Sequence, residues 1–288
     1  NAEIMMEKAD PSEFDSSRFP SKLSVVAKDP EKAEQLSKDG LEDGDPDGDK
    51  IPYTDKKSIA SCKVLKPSQS SMNIKKALAF ALGHIKSGKP GGHLGAFVSS
   101  DGFIMDGHHR WISSGMVDPN SNIGGYEVDF PGEELVAILN NLTVGRFDVL
   151  KGKKATGGFD QFKEGPIRKQ LEDYLANGSG AAKNDDGEPN PYRMEPEEIQ
   201  ELIEKFTGVS GDEAKEAAVK KFTENLSELT MSVPSWAMER PDMPVIEKED
   251  SAEARKALED GEIDVNPPYA NESLDLQRWN KLAGLLKD

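Results

Sequence analysis

The run Asp106-Gly107-His108-His109-Arg110 holds the residue types in this chain that could do chemistry together. Asp106 is suited to capping a helix, and Gly107 lets a ligand approach the backbone closely. His108, His109 and Arg110 would then crowd the first helical turn, where free N–H groups and the positive end of the helix dipole also point. Three side chains able to carry positive charge at such a place make an anion site, with phosphate the natural ligand. The same residues also admit a purely structural use, in which paired histidines cap a helix and hydrogen-bond within the core. Two features weigh against that use. All four histidines (His84, His93, His108, His109) fall in one short region, and Arg110 adds a fixed charge that a cap does not need.

The elements that must position this run can be read on either side of it. Ile59 to Leu65 alternates as a strand, and Lys66-Pro67-Ser68-Gln69 breaks it. Asn73 caps a helix whose stripe is Ile74, Leu78, Leu82 and Ile85, stopped by Gly88. Gly91-Gly92-His93 reads as a loop, and Leu94 to Val98 as the next strand. Asp101-Gly102 is a two-residue hairpin signal, leading into the apolar run Phe103-Ile104-Met105. The helix after the run is expected to end at Gly115. Tyr126 to Phe130 alternates as another strand, and Pro131-Gly132 opens a helix through Leu135, Ile138, Leu139 and Leu142.

Composition narrows the classes. The chain has 288 residues and a formal net charge of −17, so most of its surface would repel a nucleic-acid backbone, which disfavours duplex binding. A lone Cys62 excludes an internal disulfide and a cysteine-rich zinc site. No apolar run approaches membrane-spanning length and no signal peptide is visible, so a cytoplasmic setting without a membrane partner is expected.

The flanks differ from the centre. Residues 1–58 form an acidic extended arm with one short helix at Pro30–Leu36, too poor in hydrophobic residues to order itself. Within it, Asp43, Asp45 and Asp47 followed by Gly48 resemble the first half of a calcium loop. Thr54 stands where the closing glutamate belongs, so a solvated acidic loop is the competing reading. Beyond 145 the spacing predicts a helix over 162–175, then an αα-hairpin from 195–206 and 212–229. A proline-punctuated stretch holds Trp236, and helices are expected at 251–258 and 273–286. Lys151-Gly152-Lys153-Lys154 with Gly157-Gly158 lacks the order of a phosphate loop and reads as solvated. The chain thus divides into an arm (1–58), a central α+β domain (59–145) and a mostly helical extension (146–288).

The order strand, Leu-Lys-Pro-Ser-Gln, helix, glycine-rich loop, strand, Asp-Gly-Phe-Ile-Met-Asp-Gly-His-His-Arg-Trp resembles the ParB/sulfiredoxin superfamily, in its branch with an Asp-Gly-His-His-Arg box. The resemblance covers about residues 59–145. It implies a small mixed sheet with helices that binds nucleotide phosphates at the box. Members include partition proteins that bind and hydrolyse CTP, sulfiredoxins that use ATP, and free-serine kinases. Asp106, Gly107, His108, His109 and Arg110 match the phosphate box, and Gln69 with its neighbours matches the loop facing it. Kinase-like members carry a catalytic glutamate just after that loop. Here Ser70, Ser71 and Met72 stand there, and serine is no general base near neutral pH. The catalytic cysteine of sulfiredoxins is replaced in its region by His108.

Two functions follow from these residues. One is a phosphotransferase or nucleotide hydrolase that takes ATP, ADP or CTP with magnesium. In it Arg110, His108 and His109 stabilise phosphoryl charge, and Asp106 orients a histidine or helps hold the metal. The other is a structural or assembly protein, cytoplasmic or carried in a viral particle, with a reduced site. Its N-terminal arm and C-terminal helices would contact a partner protein or another copy of the chain.

Overall fold

A computed structural model describes residues 8–37, 49–154, 157–180, 193–237, 239–246 and 248–265. In chain order it contains α1 (Leu23–Val26), α2 (Pro30–Ser37), β1 (Tyr53–Ser61), β2 (Lys66–Pro67), α3 (Ile74–Ser87), β3 (Gly92–Ser99) and β4 (Phe103–Asp106). There follow α4 (His108–Val117), β5 (Asn122–Val128), α5 (Gly132–Gly145), α6 (Glu164–Asn177), α7 (Pro196–Thr207), α8 (Asp212–Ser227) and α9 (Lys248–Asp260). The class is α+β, with one mixed five-stranded sheet ordered β1-β5-β3-β4-β2.

The chain folds into two compact units, each built from separate stretches. One gathers residues 54–132 and 153–241; the other gathers 1–53, 133–152 and 242–288. These units cut across the arm, domain and extension read from the sequence. The central stretch 59–145 contributes to both, and so does the stretch after it.

The first unit carries the sheet. β3 and β4 form the expected antiparallel hairpin around Asp101-Gly102, with a bulge between Phe97 and Val98. β5 lies parallel to β3 on its other side. Lys66-Pro67 does not merely break a strand: it is a two-residue edge strand parallel to Phe103-Ile104. Proline suits that place, because an edge strand need not donate to a neighbour on its open side. β1 ends at Ser61, and the residues after it turn.

Helix α3 matches its sequence signals closely. Asn73 Oδ1 accepts from the amides of Lys75 and Lys76, and Gly88 closes the helix in the left-handed conformation. Helix α4 does not stop at Gly115 but continues to Val117. Gly115 is internal because Leu229 lies against it; a Cβ there would come within 2.6 Å of Leu229 Cδ1. Close packing therefore explains a glycine that reads as a terminator. Trp111 is fully buried and donates from Nε1 to Cys62 O at 2.8 Å. Helices α6, α7 and α8 add Ile167, Leu171, Ile199, Ile203, Val219 and Phe222 to the same core.

The second unit holds a small core of its own, with Leu23, Val26, Ala33 and Val144 packed together. Its separate stretches are tied by the backbone. Asp49 N donates to Ile263 O, Ile51 N donates to Leu258 O, and Val265 N donates to Asp49 Oδ2 at 2.7 Å. Arg146 pairs there with Glu262 and, at 3.9 Å, with Glu253. Phe14, Phe19 and Val25, with Glu133 and Glu134, line a cleft of about 510 Å³ in this unit. Asp43, Asp45, Asp47 and the helix expected at 273–286 lie outside the described residues.

Candidate anion-binding site

The Asp106–Arg110 run is placed by the end of β4, one glycine and the start of α4. Asp106 is the last residue of β4, not the cap: Gly107 occupies that position, at φ 101°, and no side chain caps the helix. Glycine is required there on two counts. The conformation is left-handed, and a Cβ would lie 3.2 Å from Ala96 Cα.

The two histidines face the loop between β2 and α3. The Ser68 amide donates to His108 Nε2 at 3.1 Å, and the Asn73 amide donates to His109 Nε2 at 2.9 Å. Each ring therefore accepts at Nε2 and, when neutral, carries its proton on Nδ1. Burial, together with His109, Arg240 and Arg110, pushes the His108 pKa down to about 3. Burial, with Lys76 and Arg240 adding to it and Asp106 opposing, pushes that of His109 down to about 4. Near neutral pH neither ring is charged. The charge that the sequence allows these rings is not carried there: low-dielectric surroundings and adjacent fixed charges keep them as neutral acceptors that pin the 68–73 loop.

The positive charge comes from three other side chains. Arg110 donates to Leu94 O at 2.5 Å and to Asp106 Oδ2 at 2.9 Å. Its Nη1 lies over Gly95, where a Cβ would come within 3.4 Å. Arg240 donates from Nη1 to Gln69 Oε1 at 3.0 Å. Lys76, in the first turn of α3, is exposed and close enough to His109 to depress its pKa. Gln69 is buried beneath Arg240, and its own Nε2 donates toward Ser71 O at 3.5 Å. The structure thus brings together Gln69, Gly107, His108, His109, Arg110 and Asp106, all six expected at this site.

Sequence reading missed three participants. Arg240 lies far along the chain, and only its spacing of four from Trp236 in a proline-rich stretch marks it. Lys76 looks like one more lysine on a helix surface. The glycine pair Gly157-Gly158 reads as solvated, yet Gly157 O accepts from the Met72 amide at 3.1 Å and backs the site loop.

The remaining histidines stand apart from this arrangement. His84 Nε2 is 3.1 Å from Ser114 Oγ, and His93 Nε2 is 2.7 Å from Asp55 Oδ1. Among the described residues no three His, Cys, Asp or Glu side chains gather to hold a metal. At the site a magnesium ion would find Asp106, whose carboxylate already pairs with Arg110. These residues fit an anion better than a cation. Comparison of the chain with family models, with curated proteins and with solved structures gave no match in any of the three.

Proposed function

We propose that this protein binds the phosphates of a nucleoside di- or triphosphate at the first turn of α4, with Arg110, Arg240 and Lys76 as its charged contacts. The carrying observation is the convergence of these three cations, from α4, a distant 3-10 turn and α3, on a helix start beside two neutral histidines. The resemblance of the Asp106–Arg110 box to ParB/sulfiredoxin boxes belongs to the same reading.

The site serves assembly or regulation rather than turnover. Both Nε2 atoms are occupied by backbone amides, so neither offers that nitrogen as a base. Ser70, Ser71 and Met72 supply no carboxylate in the loop that faces the box. Magnesium, where present, would travel on the phosphates, where it supplies charge neutralisation.

Calorimetric titration with ATP, ADP, CTP and GTP, each with magnesium, tests the proposal, with phosphate release followed in parallel. Saturable binding of at least one nucleotide is expected, with release no faster than in buffer. A folded protein that binds none of them would end the reading. Rapid release would move it to the hydrolase.

A further inference from the structure

One stretch of chain runs from the C-terminal end of helix α4 to the loop that faces its N-terminal end. At its C-terminal end, Asn225 Nδ2 donates to Met116 O and Val117 O at 2.8 and 3.0 Å, and Leu229 fills the space over Gly115. The chain then leaves α8 without regular structure. Pro234 O accepts from the Ala237 amide in a turn, and Trp236 sets its ring edge-on against Phe103 of β4, centroids 4.9 Å apart. Lys66 Nζ covers the same Phe103 ring at 4.1 Å. Arg240 follows and meets Gln69, beside the N-terminal end of the helix.

Arg240 is unlike the other arginine of the site. Arg110 is paired with a carboxylate, Asp106. Arg240 contacts a neutral amide oxygen, and among the described residues no carboxylate lies within ion-pairing distance of it. Its charge is therefore uncancelled by contact, and a guanidinium has five N–H donors, which one amide oxygen cannot satisfy. Arg110 is anchored on the β3 side through Leu94 O, and Arg240 on the side of the 68–73 loop through Gln69. Two cations fixed on different walls match two negative centres on one ligand better than a single one.

We propose that the stretch from Leu229 to Ala237 forms a strap, anchored by Leu229 and Trp236, that delivers Arg240 as a second phosphate-binding arginine and makes the site selective for two or more linked phosphates over one. The inference rests on the anion-site reading above and adds the selectivity and the residue that sets it. Trp236 acts as a positioning residue, and Arg240 touches the ligand.

The test is calorimetry of the full chain with pyrophosphate and with orthophosphate, without magnesium. Wild type is expected to bind pyrophosphate at least ten-fold more tightly. Arg240→Gln should lower pyrophosphate affinity about ten-fold and leave orthophosphate within two-fold, with Arg240→Lys restoring part of the loss. Trp236→Ala should lower pyrophosphate affinity several-fold through the strap alone. Arginine modification by a glyoxal reagent, read by mass spectrometry on wild type, gives a second measurement that needs no variant to fold. Pyrophosphate should protect Arg240, and orthophosphate should not. If wild type prefers pyrophosphate and Arg240→Gln keeps the preference, or Arg240 is modified equally in both ligands, the strap inference falls while the site stands. If wild type binds neither anion, the strap inference falls, and the nucleotide titration above decides the site.

Discussion

Two arginine clusters in this molecule are built on opposite rules. Around Arg146, in the unit that gathers residues 1–53, 133–152 and 242–288, charge meets charge: Glu262 and Glu253 face the guanidinium, and Lys256 pairs with Asp260 nearby in sequence. Around Arg110 and Arg240 the acceptors are mostly neutral, namely Leu94 O and Gln69 Oε1, with Asp106 as the carboxylate. A cluster that cancels its own charge has little left for a ligand. One that supports cations with carbonyl oxygens holds them in place and keeps the field outward. Having several arginines therefore says less about function than what each arginine is bonded to.

Acid should break this contrast most strongly. His108 and His109 titrate in the folded protein at about 3 and about 4, against an ordinary value of 6.5. Below pH 6.5 the unfolded chain takes up protons that the folded chain refuses. Stability from these groups is thus complete above pH 6.5 and falls as pH drops toward those folded values. The loss is about 1.5 kcal/mol per histidine between pH 6.5 and pH 5. Urea unfolding at the two pH values measures it, with histidine proton shifts by NMR alongside. Equal stability at pH 6.5 and 5, or ring shifts that titrate near 6.5, would show that the rings charge in place.

Exchanging the two arginines sharpens the contrast. Arg110→Ala should lower nucleotide affinity by about one to two decades, roughly 1.5–3 kcal/mol, because a charge-assisted contact is lost. Arg146→Ala should leave affinity unchanged and cost at most about 1 kcal/mol of stability, since the carboxylates facing it are partly exposed and screened by water. Titration and thermal melting of both variants give the answer. A reversed outcome would make Arg146 the ligand residue and Arg110 the structural one.

The smallest expected effect belongs to Lys76. It is exposed and free of ion pairs among the described residues, so Lys76→Met should weaken nucleotide binding only about two- to five-fold, by up to about 1 kcal/mol. The same change should reduce the salt dependence of binding. A loss as large as that from Arg110→Ala would make Lys76 as strong a phosphate contact as Arg110.

Local signals carried much of the fold. Helix α3 was legible because its cap, its apolar stripe and its left-handed glycine all lie within sixteen residues, Asn73 to Gly88. The hairpin at Asp101-Gly102 and the pair α7 and α8 were legible for the same reason. What sequence reading missed was decided at a distance. Gly115 is internal to α4 because of Leu229, more than a hundred positions away. Lys66-Pro67 is a strand because Phe103-Ile104 lies beside it. In the site, the residues of the box were legible and their charge state was not. A histidine beside an arginine reads as cationic in sequence, and burial together with a backbone donor makes it neutral in space. Arg240 was hidden because nothing near it in the chain shows which loop it reaches.

The unit that carries the site is assembled from residues 54–132 and 153–241, and that discontinuity has a bearing on how the protein is made. During synthesis α4 emerges with Arg110 long before the chain reaches Arg240. At ordinary elongation rates the 130 residues between positions 110 and 240 take roughly 6–26 s to add. In that interval Trp111 and the rest of the helix wait for α6, α7 and α8 to cover their core. With Arg240 as the proposed second phosphate contact, a nascent or prematurely ended chain lacks the arginine that selects linked phosphates over one. Selection for linked phosphates, as proposed, would then belong to chains completed through that point, and a ligand bound there would stabilise finished molecules over unfinished ones by mass action.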